Sequence, residues 1–118
     1  MAMAGIERVT EATLDVLEVL LQAHRDRRDV HGWEIKKATR RSGPTVYGVI
    51  DRLEDANLIE GFWEHQDSSD KGPRRRYYRL TGPGVTAASK LLAERRQHSR
   101  PELRALKRRL VIDYGWPR

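Results

Sequence analysis

Past Asn57 the apolar residues of this chain stop recurring every three or four positions and begin to alternate, and that change of period limits the folds open to it. Before it lie three helical stretches. Leu14, Val16, Leu17, Val19, Leu20 and Leu21 follow Thr10, a good N-cap residue, and predict a first helix over Thr10–Ala23. A polar connector at 24–29 leads into a short second helix over His31–Thr39, which buries Trp33 or Ile35 together with Ala38 and turns Lys36, Lys37 and Arg40 to solvent. A third helix starts after Ser42, with Pro44 in its first turn, where proline removes no needed hydrogen bond. Its stripe of Val46, Val49, Ile50 and Leu53 faces inward, and Thr45, Tyr47, Gly48, Asp51 and Arg52 lie opposite. Asn57 suits the left-handed position that ends such a helix.

The alternating runs Leu58–Glu64 and Arg74–Leu80 flank the polar, turn-rich stretch 65–73 and predict a two-stranded hairpin with a long tip. Tyr78 and Leu80 share the parity that faces the core, leaving Arg75, Tyr77 and Arg79 outside. Trp33 and Trp63 are expected as apolar anchors in the core rather than as a ligand platform. Thr81 caps a fourth helix that buries Val85, Ala88, Leu91 and Leu92 and ends in the cationic turn of Arg95, Arg96 and His98. Ser99 and Glu102 form a capping-box pattern, so a further helical stretch carrying Leu103, Leu106 and Leu110 follows, with a break or a kink at Pro101. Trp116 has no core partner in this scheme, and either disorder or packing on a second copy accounts for it.

The charge is as uneven as the period. Residues 1–70 hold nine Lys and Arg against fourteen Asp and Glu, whereas residues 71–118 hold fourteen against three, giving a net charge of +6 over 118 residues. That length supports one small hydrophobic core and makes a multidomain enzyme unexpected. With no cysteine, a disulfide scaffold, a thiolate zinc site and a cysteine nucleophile are excluded. The histidines at 24, 31, 65 and 98 lack metal-ligand spacing, and no Ser-His-acid set, phosphate-cradling glycine loop or carboxylate pair stands out. Neither enzymatic activity nor a cofactor is expected. No stretch approaches the apolar length of a membrane span and no leader pattern opens the chain, so a cytoplasmic location is expected.

Three short helices followed by a basic hairpin give a mainly α architecture with a small β-hairpin, the order of a winged helix-turn-helix with a C-terminal dimerisation helix. The expected division is a DNA-binding unit over 1–80 and a helical dimerisation segment over 81–118. In such a fold the third helix enters the major groove, and Thr45, Tyr47, Gly48 and Arg52, with Ser42 at its start, are the candidates for DNA contact. Cations for the phosphates come from Lys36, Lys37, Arg40 and Arg41 before that helix and from Lys71, Arg74 and Arg75 in the wing. Leu91, Leu92, Leu103, Leu106 and Leu110 exceed what one small core covers and predict a homodimer interface.

The chain also resembles the PadR-like transcriptional regulators. The resemblance covers residues 10–90 and rests on His31-Gly-Trp-Glu-Ile35, on Thr45-Val-Tyr47 followed by Arg52-Leu-Glu54, on Leu58-Ile59 and Trp63-Glu64, and on Gly72-Pro-Arg-Arg-Arg-Tyr-Tyr-Arg-Leu-Thr81 with Gly84. It implies a dimeric bacterial repressor, associated with the nucleoid, that binds an inverted repeat in double-stranded DNA, and it brings a possible small hydrophobic effector. Pro44, Gly48, Asp51 and Asn57 depart from the family pattern, the first three on the DNA-facing helix, so the operator does not carry over from relatives. Two alternatives stand beside it: a MarR-like regulator, and a winged-helix protein-interaction module that grips an acidic partner and binds no specific DNA.

Overall fold

Thr10 opens the first helix, α1 (Glu11–Arg25), through a reciprocal cap in which the Thr13 amide donates to Thr10 Oγ1 at 3.1 Å and the Thr10 amide donates back to Thr13 Oγ1 at 3.2 Å. The computed structural model describes residues 9–64 and 75–99. Arg27, at a φ of 55°, closes α1, with its own amide on the His24 carbonyl and the Arg28 amide on that of Ala23. The chain then forms β1 (Val30–His31), α2 (Gly32–Thr39), α3 (Gly43–Asp55), β2 (Ile59–Trp63), β3 (Arg76–Leu80) and α4 (Gly82–Ser99). This is the winged helix-turn-helix, mainly helical with a small antiparallel sheet.

Ser42 caps α3 as expected, accepting from the Thr45 amide, and Pro44 stands in the first turn. Asn57 has a φ of 59°, with its amide on the Glu54 carbonyl and that of Leu58 on the Leu53 carbonyl. That pairing satisfies the last carbonyls of α3 and turns the chain directly into β2.

The sheet differs from the expected two-stranded hairpin. Its order is β1-β3-β2, because Val30 and His31 pair with Tyr78 and Tyr77 on the free edge of β3. Val30 and His31 fall between the polar connector 24–29 and the helix expected from His31, and two residues are too few to show alternation, so the strand has no sequence signal. Its effect is to attach the wing to the start of α2.

The core lies between α1, α3 and the sheet, with Val16, Leu17, Leu20, Ile35, Val46, Ile50, Leu53 and Leu58 fully buried and Tyr78 and Leu80 facing inward. Two expectations fail here. Trp33 and Trp63 are 58% and 55% exposed, so neither is a core anchor. In α2 the inward face is taken by Gly32 and Ile35, and Ala38 is exposed as well. Trp63 has the parity of buried Ile59, but it stands at the far end of β2 and is exposed there.

The start of α4 is clamped to the end of α3. The Thr81 hydroxyl donates to the Asn57 carbonyl at 2.7 Å and accepts from the Gly84 amide at 3.1 Å, while the Thr81 amide donates to the Leu58 carbonyl at 3.0 Å. Gly84 lies so close to the Leu58 carbonyl that a Cβ there would overlap it. Leu91 and Leu92, expected to seek cover from a second copy, are 8% and 4% exposed in the chain's own core. α4 lies against α1, and both leucines are buried within the single chain. Leu103, Leu106, Leu110, Pro101 and Trp116 lie outside the described residues.

Candidate nucleic-acid interface

Residues 33, 36, 37 and 40 fall one turn apart along one face, and in α2 this places Trp33 among cations. Lys37 Nζ lies 5.1 Å from the centre of the Trp33 ring, and Lys36, Lys37 and Arg40 are all exposed. Trp33, Lys36, Lys37, Arg40 and Arg41 line a shallow recess. The same tryptophan also borders a second recess of about 490 Å³, whose other walls are His31, Gly32, Tyr47, Arg75, Arg76 and Tyr78. A helix-turn-helix turn, the outward side of α3 and the base of the wing therefore meet around one exposed indole. The spacing of positions 33, 36, 37 and 40 was the signal that could have placed Trp33 outside.

Local bonds set each of these groups. His31 caps α2 through Nδ1, which accepts from the Glu34 amide at 3.2 Å, and Glu34 returns a carboxylate oxygen to the His31 amide at 3.3 Å. The His31 ring stacks on Trp33 at 6.2 Å and meets the edge of Tyr77 at 5.6 Å. Tyr47 is 45% exposed, but its ring rests on Gly32: a Cβ there would lie 2.6 Å from Tyr47 Cε1 and 2.7 Å from Cζ. Thr45, Asp51 and Arg52 are exposed on α3, and Gly48 is half-buried there. Ser42 is occupied as a cap, its hydroxyl donating to Thr45 Oγ1 at 3.0 Å.

The wing cations divide. Arg75 is exposed, and its guanidinium has no ion-pair partner among the described residues. Arg76 is structural: it pairs with Glu54 of α3 at 3.1 Å, lies over Trp63 and Tyr78 at 5.4 and 5.8 Å, and covers Gly61. This link between wing and third helix was not foreseen, although Arg76 shares the inward parity of Tyr78 and Leu80, which sets it apart from Arg75. Burial pushes the Tyr78 hydroxyl above its ordinary value, with the Glu54 charge adding to it. Lys71 and Arg74 lie outside the described residues.

Arg41, expected to serve a phosphate, is instead bound within the chain. Its Nε and Nη2 sit 2.8 and 2.7 Å from Asp15 Oδ2, and Arg95 Nη2 holds Asp15 Oδ1 at 2.7 Å. Burial pushes the Asp15 carboxyl up, but the hydrogen bonds and charges of Arg95 and Arg41 outweigh it and leave the group below the ordinary carboxylate range.

Among the described residues no cluster of three or more His, Asp or Glu could hold a metal ion, and no helix is long and apolar enough to cross a membrane. Several solved structures share this architecture. Archaeoglobus fulgidus AF1382 superposes with a TM-score of 0.62 at 18% identity, covering 78% of this chain and 92% of that one. Staphylococcus aureus MepR, solved as a DNA complex, gives 0.59 at 21% identity over 92% of this chain and 82% of its own. At those identities the likeness is one of fold. A PadR family transcription regulator from Clostridium difficile R20291 gives 0.56 at 27% identity, covering 86% and 95% of the two chains. No curated protein matches the chain by sequence. The family model described as the transcriptional regulator PadR-like family matches residues 16–90, well over half the chain and the whole span from the buried face of α1 into α4. The chain belongs to the PadR-like family of transcriptional regulators, which are not enzymes.

Proposed function

We propose that the chain binds double-stranded DNA through α2, α3 and the wing, as a homodimeric repressor on an inverted repeat. The observation that carries this is the meeting around Trp33 of the α2 cations, Tyr47 of α3 and Arg75 of the wing, which supports one continuous basic and aromatic surface. Lys36, Lys37, Arg40 and Arg75 take phosphates; Thr45, Tyr47, Gly48 and Arg52 lie where base edges are read. Ser42 acts by holding the start of α3. Lys71 and Arg74 extend the phosphate contacts along the wing, and Leu103, Leu106 and Leu110 supply the dimer contact.

A small hydrophobic effector has a place to act in the recess walled by His31, Trp33, Tyr47 and Tyr78. An occupant there would displace Tyr47 or Arg75 from the DNA. Anisotropy titration with labelled duplex and with the single strand of the same sequence tests the main reading. Tight, salt-sensitive binding to the duplex alone is expected. Equal binding to both strands, or none, returns the face to a protein-interaction role.

A further inference from the structure

Arg41 sits at the one point where the DNA-facing recess and the ion pairs of α1 meet. It lies between Arg40, which closes α2 at a φ of 57°, and Ser42, which caps α3. Its guanidinium is one-third exposed and lines the recess of Trp33, Lys36, Lys37 and Arg40, yet its only acidic partner among the described residues is Asp15 of α1. Asp15 divides its two oxygens: Oδ2 serves Arg41 and Oδ1 serves Arg95 of α4. Arg95 is further held by Glu11 at 3.1 Å and Glu18 at 3.5 Å, both well exposed. One carboxylate therefore joins the turn of the helix-turn-helix to the helix that leads into the C-terminal segment.

We propose that Asp15 is a positioning residue that withholds Arg41 from DNA phosphate, and that Arg95, by sharing the same carboxylate, sets how firmly Arg41 is withheld. This rests on the reading of the α2 face as the DNA interface. A phosphate entering the recess meets Lys36, Lys37 and Arg40, which have no acidic partner among the described residues, and a fourth cation that must be taken from Asp15. Charge-assisted hydrogen bonds to phosphate and to carboxylate are of similar strength, so the exchange is close to balance and a second claim on the carboxylate tips it. With Arg95 on Asp15, the carboxylate is shared and Arg41 transfers readily. With the Arg95 side chain turned away, Asp15 binds Arg41 alone, and the DNA loses a contact. The Arg95 side chain thus reaches the DNA-facing turn through two ion pairs, without a shift of the core.

The test uses the full chain, a random-sequence DNA duplex and the slope of log affinity against log salt. Asp15→Asn frees Arg41 and steepens the slope by about 0.9, the contribution of one phosphate contact. Arg95→Met leaves Asp15 to Arg41 and weakens binding by about threefold, the scale of one partly exposed ion pair. Both effects vanish when Arg41 is already alanine. Removing an acidic charge anywhere strengthens DNA binding in a general way, so the Arg41→Ala background is the decisive arm: if Asp15→Asn steepens the slope equally in both backgrounds, the proposal is overturned. Should Asp15→Asn fail to fold by circular dichroism, Arg95→Met carries the test, and unchanged or tighter binding overturns the proposal. A wild-type chain that does not bind the duplex removes the DNA interface itself, whereas wild-type binding with an unaltered Asp15→Asn slope removes only the role of Asp15.

Discussion

Tyr47 is held on one side and free on the other. Its ring rests on Gly32, which leaves room because it has no Cβ, and nearly half of its surface faces solvent beside Trp33. Tyr47→Ala is therefore expected to lose about 1–3 kcal/mol on a specific site while non-specific affinity barely changes. Gly32→Ala makes the complementary change, pushing the ring off its seat without touching the ring itself. Its expected outcome is a folded protein with the same salt slope and reduced discrimination between operator and random duplex. Normal discrimination in both variants takes Tyr47 out of base readout. Asp15 links the stability of the fold to pH. Its folded-state value is lowered, so the stability it contributes is present above the ordinary carboxylate range and is lost as pH falls through the folded value. Urea unfolding of wild type and Asp15→Asn should differ near neutrality and converge in acid. Parallel loss in the two would mean that the Arg41 and Arg95 pairs contribute no net stability.

At the scale of elements, the junction of α3, β2 and α4 is the least tolerant of change. Gly84 faces the Leu58 carbonyl with no space for a methyl group, and the obstacle is backbone rather than a side chain that can swing aside. Gly84→Ala is expected to destabilise the fold by about 3 kcal/mol, the upper range for overpacking, measurable as a lowered urea midpoint with unchanged m-value. A midpoint within error of wild type would show that the clamp gives way easily. The helices were legible because caps and stripes speak locally: Thr10, Ser42, Pro44 and Asn57 mark boundaries, and Val46, Val49, Ile50 and Leu53 mark a face. What escaped was set by tertiary partners. Strand β1 exists only because β3 offers it a free edge, and Trp33 is outside because Gly32 and Ile35 take the inward positions of a very short helix. Arg41 reads as a phosphate-binding cation until the chain brings Asp15 to it across 26 residues, and the Arg76–Glu54 pair likewise joins residues 22 apart. The DNA-facing candidates on α3 were legible for the opposite reason, since the exposed side of an amphipathic helix follows directly from its buried one.

For the whole molecule, burial of Leu91 and Leu92 joins α4 to the winged unit, and the proposed dimer contact rests on Leu103, Leu106 and Leu110. A chain ending at Ser99 keeps the described core and is expected to fold as a monomer, whereas one ending at Lys90 loses both leucines and is expected to be unfolded. Sedimentation velocity and circular dichroism distinguish these. A dimeric chain ending at Ser99 would place the contact within the winged unit. On the proposed reading, one face, built by α2, α3 and the wing around Trp33, takes the phosphates of duplex DNA. The direct measurement is the salt dependence of duplex binding for wild type and for a chain with Lys36, Lys37 and Arg75 all changed to alanine. Three lost phosphate contacts flatten the slope by about 2.7. A triple variant that is folded and keeps the wild-type slope would contradict the account, because the DNA would then be held by some other surface.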